Sequence, residues 1–166
     1  WGIPPEKNGD YTFLLHIITS LKSTGKGAVI LPHGVLFRGN AESDIRENLI
    51  KQGYIKGIIG LPANLFYGTG IPACIIVIDK EHAQKAVLSN EPATDGKVEG
   101  RSIFMIDASK GFIKDGNKNR LRSQDIHKIV DVFTKEQTLE RFSRLVTIDE
   151  IAANDYNLNI PRYIDS

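Results

Sequence analysis

Two adjacent aromatic side chains, Phe66 and Tyr67, run directly into Gly68, Thr69 and Gly70. Rings offer flat apolar faces and glycines carry no side chain to obstruct one, so this stretch is suited to receiving a planar ligand by stacking. The same two rings serve equally as a cap on the core, the usual fate of aromatics beside strands. A second group is basic. Lys110, Lys114, Lys118, Arg120 and Arg122 share one polar stretch with a single acid, Asp115. Such a cluster either neutralises phosphates or stays solvated with its charge incidental. Among the histidines, His16 has no second His or Cys beside it at metal spacing. His33 follows a short apolar run, at the kind of strand end where open α/β sheets bind ligands. Cys74 is the only cysteine. It excludes an internal disulfide and cannot form a metal cluster by itself. It also lies in an apolar run where a thiolate is costly, which weighs against a hydrolase built on Cys74 or His33.

The elements that must position these groups follow from periodicity. The aromatic loop separates two β-branched runs, Ile55 to Leu61 and Ile71 to Ile78, each the length of one buried strand. Only about ten residues join them, rich in Gly and Pro and without helical pattern, so the second strand should run antiparallel to the first. Upstream, Asp10 reads as the N-cap of a helix over Tyr11 to Lys22, with Leu14, Ile17, Ile18 and Leu21 on one face and Gly25 past its end. Ala28 to Leu31 reads as a short buried strand closed by Pro32, His33 and Gly34, and Glu42 to Gln52 as a helix stopped by Gly53. Downstream, Glu81 to Gly100 reads as a short helix and an exposed loop, Ser102 to Ile106 as a strand, and Lys110 to Arg122 as a loop. Ser123 caps a helix through Lys135 with Ile126, Ile129, Val130 and Phe133 on one face. Phe142 to Val146 forms a short strand and Asp149 caps one more turn. The strand and helix alternation in the first half calls for a right-handed parallel crossover. The implied architecture is an open, mostly parallel α/β sheet with one reversed strand near its edge.

With 166 residues, 41% of them hydrophobic, the chain is long enough for one domain, residues 1–166, with a sizeable core. No apolar run reaches the ~18 residues of a membrane span, and the N-terminus lacks a secretory pattern, so the expected compartment is the cytoplasm, away from membranes. A net charge of +1 neither demands nor excludes nucleic acid, because local clustering decides that. The chain begins at Trp1 and its single methionine is Met105, as in a piece of something longer.

Three segments together, DYTFLLHIITSLKSTGKGAVILPHGVLFRG, IRENLIKQGYIKGIIGLPANLFYGTGIPACIIVIDK and NDYNLNIPRYID, strongly resemble the modification subunit of type I restriction-modification systems. Those subunits are N6-adenine DNA methyltransferases. The resemblance covers nearly the whole chain, and LPANLFYGTGIP and NLNIPRY carry most of its specificity. It implies a Rossmann-like, mostly parallel sheet with a reversed edge strand, S-adenosylmethionine as cofactor, and DNA, a specificity subunit and a restriction subunit as partners. Two family motifs are missing: the Gly-rich cofactor loop, and the Asn-Pro-Pro-aromatic motif, for which Pro4 and Pro5 lack the Asn. The chain therefore resembles the C-terminal half of the catalytic domain, expected to hold no cofactor alone and to need its N-terminal half.

By the same resemblance this half supplies one wall of the pocket for an extruded adenine, with Phe66 the preferred stacking ring, Tyr67 the alternative, and Gly68, Thr69 and Gly70 beside them. Lys114, Lys118, Arg120 and Arg122 are the candidate phosphate contacts. The competing reading is a non-catalytic module that docks a specificity or nuclease subunit and touches only the DNA backbone. Asn157 and Asn159 in the terminal segment brace a loop, contact a partner, or do neither.

Overall fold

The computed structural model describes residues 9–39, 41–66, 70–83 and 102–165. The first half comprises α1 (Asp10–Ser20), β1 (Lys26–Pro32), a 3-10 turn (His33–Leu36), α2 (Ala41–Lys51), β2 (Ile55–Gly60) and β3 (Ala73–Asp79). The second comprises β4 (Ser102–Asp107), β5 (Ile113–Asp115), β6 (Lys118–Arg120), α3 (Ser123–Lys135), β7 (Ser143–Thr147), α4 (Ile148–Ala153) and a second 3-10 turn (Ile160–Arg162). Five strands form one sheet in the order β1-β3-β2-β4-β7, and β5 pairs with β6 in a separate ribbon.

The sheet corrects the expectation of a mostly parallel layer with one antiparallel edge strand. β3 does run antiparallel to β2, as its short connection requires, but it is inserted between β2 and β1 rather than lying at an edge. One inserted strand therefore makes two neighbouring pairs antiparallel. β7 reverses again at the far edge, which leaves β2 with β4 as the one parallel pair among the described residues. Because β1, β2 and β4 still point the same way, their C-terminal ends gather on one side, carrying His33, the aromatic loop and Asp107.

The two faces of the sheet are covered unequally. On one face Val29, Leu31, Ile58, Ile76, Ile78, Ile103 and Met105 are buried with residues of α1, α2, α4 and the terminal segment. On the other, Ile59, Phe104 and Ile106 pack against Ile129 and Val132 of α3. Phe133 packs against Gly57, where an ideal Cβ would come within 2.3 Å of its ring, so only glycine admits that approach. β1 is not buried on both faces as its apolar run implied. Its residues alternate, Val29 and Leu31 inward and Ile30 outward.

Local details also differ. Gly9, not Asp10, precedes α1, and the Asp10 carboxylate instead accepts from Arg38 at 2.7 Å. In α3, Ile126 and Val130 are exposed while Ile129 and Val132 face the sheet, a rotation that seats Phe133 over Gly57. Gly53 ends α2 with a φ of 76°, as its position implied. The Lys110 to Arg122 loop contains the β5–β6 ribbon, turned at Gly116 with φ of 63°. The polar Glu81 to Gly100 stretch begins helical at residues 80–83, and residues 84–101 lie outside the described set. Among the described residues no helix is long and apolar enough to cross a membrane.

Candidate functional site

Phe66 stands beyond the C-terminal end of β2, after Pro62, and the residue is 43% exposed. With Ile30, Leu31, Pro32, Ile71, Pro72 and Ala73 it lines an apolar cleft of about 280 Å³. The cleft exists because this face of β1 carries no covering helix among the described residues, and Ile30 and Ile71 stay 55% and 64% exposed. An open apolar cleft of this size suits one flat ring system more than a large ligand. Tyr67, Gly68 and Thr69 lie outside the described residues. Gly70 is described, and a Cβ there would sit 3.0 Å from the Asn64 side chain, so the loop closes tightly on itself.

The loop's feet are fixed. The Leu61 amide donates to the Ala73 carbonyl at 3.0 Å and the His33 amide to the Pro72 carbonyl at 3.0 Å. Asn64 adopts a φ of 57°, which Asn tolerates better than most residues. That turn presents two carbonyls to the ribbon: Asn119 donates its backbone amide to Asn64 at 2.8 Å and its side-chain amide to Ala63 at 2.8 Å. The structure thus joins two stretches that the sequence offered separately. The basic ribbon is anchored to the aromatic loop two residues before Phe66. No spacing rule linked Asn119 to Asn64, because the contact spans the whole of β3 and β4.

The basic residues are not equivalent. Lys114 is exposed on β5. Arg120 lies 3.5 Å from the Asp115 carboxylate across the ribbon, both groups well exposed, a pair of little energetic weight. Arg122 is held at 2.9 Å by Asp125, which also accepts from the Arg122 backbone amide, closing the N-terminus of α3. These hydrogen bonds keep the Asp125 carboxyl below the ordinary carboxylate range. Lys118 sits partly buried on β6.

His33 and Cys74 show no catalytic arrangement. His33 Nε2 lies 3.1 Å from Asn159 Oδ1 and its ring leans on Phe37. Cys74 is fully buried in β3, and burial pushes its thiol up to about 12, which removes it as a nucleophile. His16 sits on α1, and no cluster of metal-ligating side chains occurs among the described residues.

The terminal segment meets the same end of the sheet. Leu158, Ile160, Tyr163 and Ile164 are buried in the core, the Leu158 amide donates to Leu36 at 2.8 Å, and Arg46 donates to the Tyr156 carbonyl at 2.9 Å.

Comparison with known proteins gives a consistent result. The family described as N-6 DNA Methylase matches residues 1–166, the whole chain. The chain is 32% identical, over 99% of its length, to the type I restriction enzyme MpnII methylase subunit of Mycoplasma pneumoniae. It is 34% identical, over 98% of its length, to the MjaVII methylase subunit of Methanocaldococcus jannaschii. It spans only 27% and 26% of those relatives. Among solved structures, a type I restriction-modification methyltransferase subunit from Streptococcus thermophilus superposes with a TM-score of 0.84 at 40% identity, covering 98% of this chain and 31% of that one. The EcoKI M protein shares the fold, with a TM-score of 0.69 at 18% identity, over 96% of this chain and 38% of its own.

Proposed function

The chain belongs to the N-6 DNA Methylase family, and on that premise we propose that it is the C-terminal half of the catalytic domain of a DNA adenine-N6 methyltransferase in a type I restriction-modification system. Its task there is to form one wall of the pocket for the extruded adenine. The observation that carries this is the half-exposed Phe66 ring at the mouth of an open apolar cleft, on a loop whose feet are hydrogen-bonded. An adenine inside a duplex is out of reach of any methyl donor. Its extrusion costs a few kcal/mol, least for a base already unpaired. Stacking on one aromatic recovers roughly 1–3 kcal/mol. Gly68, Thr69 and Gly70, which follow in the sequence, are the residues we assign to the approach of the base. The anchored ribbon puts Lys114, Lys118 and Arg120 beside the same loop, where they neutralise phosphates flanking the target, while Arg122 adds positive charge at the ribbon's base even as it caps α3.

Membership of the family implies S-adenosylmethionine as methyl donor. The described residues do not fit as its cradle. β1 runs into a 3-10 turn, β2 into the Pro62 loop and β4 into a turn in which Ser109 occupies Asp107. The N-termini of α3 and α4 are closed by Asp125 and Thr147. The donor is therefore assigned to other residues of the longer protein, in line with the small share of its relatives that this chain spans. A specificity subunit and a restriction subunit are the further partners we propose, from the resemblance to modification subunits; the relatives are named as methylase subunits of type I restriction enzymes.

Adenine methylation by the intact protein on its own DNA tests the base wall. Phe66→Ala should lower the rate about tenfold or more while Phe66→Trp retains most of it. An unchanged rate for Phe66→Ala, or a comparable loss for Tyr67→Ala alone, overturns the choice of Phe66.

A further inference from the structure

We propose that Asn159 and His33 are positioning residues for the loop that bears Phe66, and that the terminal NLNIPRY segment is the clamp that aims it. The loop has two feet, Gly60 at the end of β2 and Pro72 before β3, and two consecutive residues of the terminal segment bear on them, Ile160 directly and Asn159 through His33. At the first foot, Ile160 drops directly onto Gly60, where an ideal Cβ would lie 2.8 Å from the Ile160 Cδ1. At the second, the His33 backbone amide holds the Pro72 carbonyl at 3.0 Å while its ring Nε2 meets Asn159 Oδ1 at 3.1 Å. An amide oxygen only accepts, so the contact is a hydrogen bond when the His33 ring carries a hydrogen on Nε2. The Phe37 ring lies 5.6 Å from the His33 ring, tilted by 59°.

The segment is built to place that one side chain. Asp155 and Tyr156 take consecutive left-handed conformations, φ of 56° and 58°, which turn the chain back over the sheet. Asn157 then accepts the Asn159 amide on its side chain at 2.9 Å and the Tyr163 hydroxyl on its carbonyl, a local turn that fixes the direction of Asn159. Leu158 and Ile160 are buried on either side of Asn159, whereas Asn159 and His33 themselves are only half-buried. The apolar neighbours hold the segment on the sheet. The amide between them is left to join the segment to the foot of the loop. This assignment rests on the base-wall reading for what the loop does, but its geometry is independent of which ring stacks. A displacement of about 1 Å at a site of chemistry costs on the order of a hundredfold in rate.

The experiment uses the intact protein with its partner subunits, reading DNA methylation kinetics and thermal unfolding together. Asn159→Leu, of similar size but without an acceptor, should lower kcat about tenfold with KM for DNA and the melting temperature nearly unchanged. Asn159→Asp, which keeps an acceptor for Nε2–H, should restore most of the rate. His33→Ala should reproduce the loss, and the double variant should lose no more than either single one. An unchanged kcat, a loss that tracks melting, failure of the Asp variant to rescue, or additive losses each overturn the clamp. A silent Phe66→Ala with a strong Asn159→Leu effect overturns the stacking ring and leaves the clamp standing; the reverse keeps the ring and removes the clamp.

Discussion

Two irregular segments meet at the same end of the sheet and treat their apolar side chains in opposite ways. The terminal segment sinks Leu158, Ile160, Tyr163 and Ile164 into the core and ties its backbone to Leu36 and Arg46. The loop after β2 leaves Phe66 and Ile71 in solvent beside Ile30. Lack of regular structure therefore does not explain the exposure, since the terminal segment lacks it too and is buried. What differs is the surface beneath. Gly60 opens a place for Ile160, whereas the outer face of β1 offers only an uncovered strip of sheet. Apolar area left open where burial was available to a neighbouring segment marks a surface meant for a partner. In the function proposed above, that partner is the extruded base.

The contrast is broken most directly at Ile160. Ile160→Ala removes buried methyl groups above a glycine that cannot fill the gap, and should destabilise the intact protein by about 2–4 kcal/mol in denaturant unfolding. A loss below about 1 kcal/mol would place both segments in the same class. Phe66→Ala should do the converse, changing unfolding by about 0.5 kcal/mol or less while methylation falls by the equivalent of about 1–3 kcal/mol. Parallel losses of stability and rate would show that the ring is packing.

A pH series sharpens the same comparison at β3, which both segments abut. Burial pushes the Cys74 thiol from 9.0 up to about 12 and the Tyr11 phenol from 10.0 up to about 12. Both groups are held neutral in the fold, so the stability they represent is complete below their ordinary values and is lost as pH rises toward 12. At pH 10 the thiol accounts for about 1–2 kcal/mol of that loss, and Cys74→Ala should remove a fall of about 2–3 kcal/mol from unfolding free energies recorded between pH 8 and 11. A slope indifferent to Cys74 would mean that the strand start is solvated. The smallest effect is expected at the ribbon. Lys114→Ala should weaken DNA binding uniformly across sequences and reduce the slope of log affinity against log salt by about one. A sequence-dependent loss would move Lys114 from backbone to base contact.

Much was legible from local pattern. Runs of β-branched residues located β2, β3 and β4 within one or two residues, because a buried strand must be apolar whatever lies beside it. Gly53 announced the end of α2 because few other residues take its φ of 76°. The aromatic loop stood out because Gly and Pro on both sides of two rings serve no regular element. Partner identity across the chain was not legible in this way. That Phe133 needs Gly57, that Asn119 holds Asn64, or that Asn159 faces His33 are pairings over long sequence separations, and each residue alone is ordinary.

The sequence by itself determined the elements, the resemblance that points to DNA adenine methylation, and the aromatic loop as the stretch that no regular element explains. Periodicity and composition are local properties and need no partner to be read. Only the tertiary structure decided that β3 enters the middle of the sheet instead of its edge. A short loop specifies that a strand reverses, but which side of its predecessor it takes depends on which edge offers free backbone groups and apolar cover. The same insertion brought Gly60, Pro72, His33 and the terminal segment into one place, and so turned an unexplained run of residues into a neighbour of both feet of the aromatic loop.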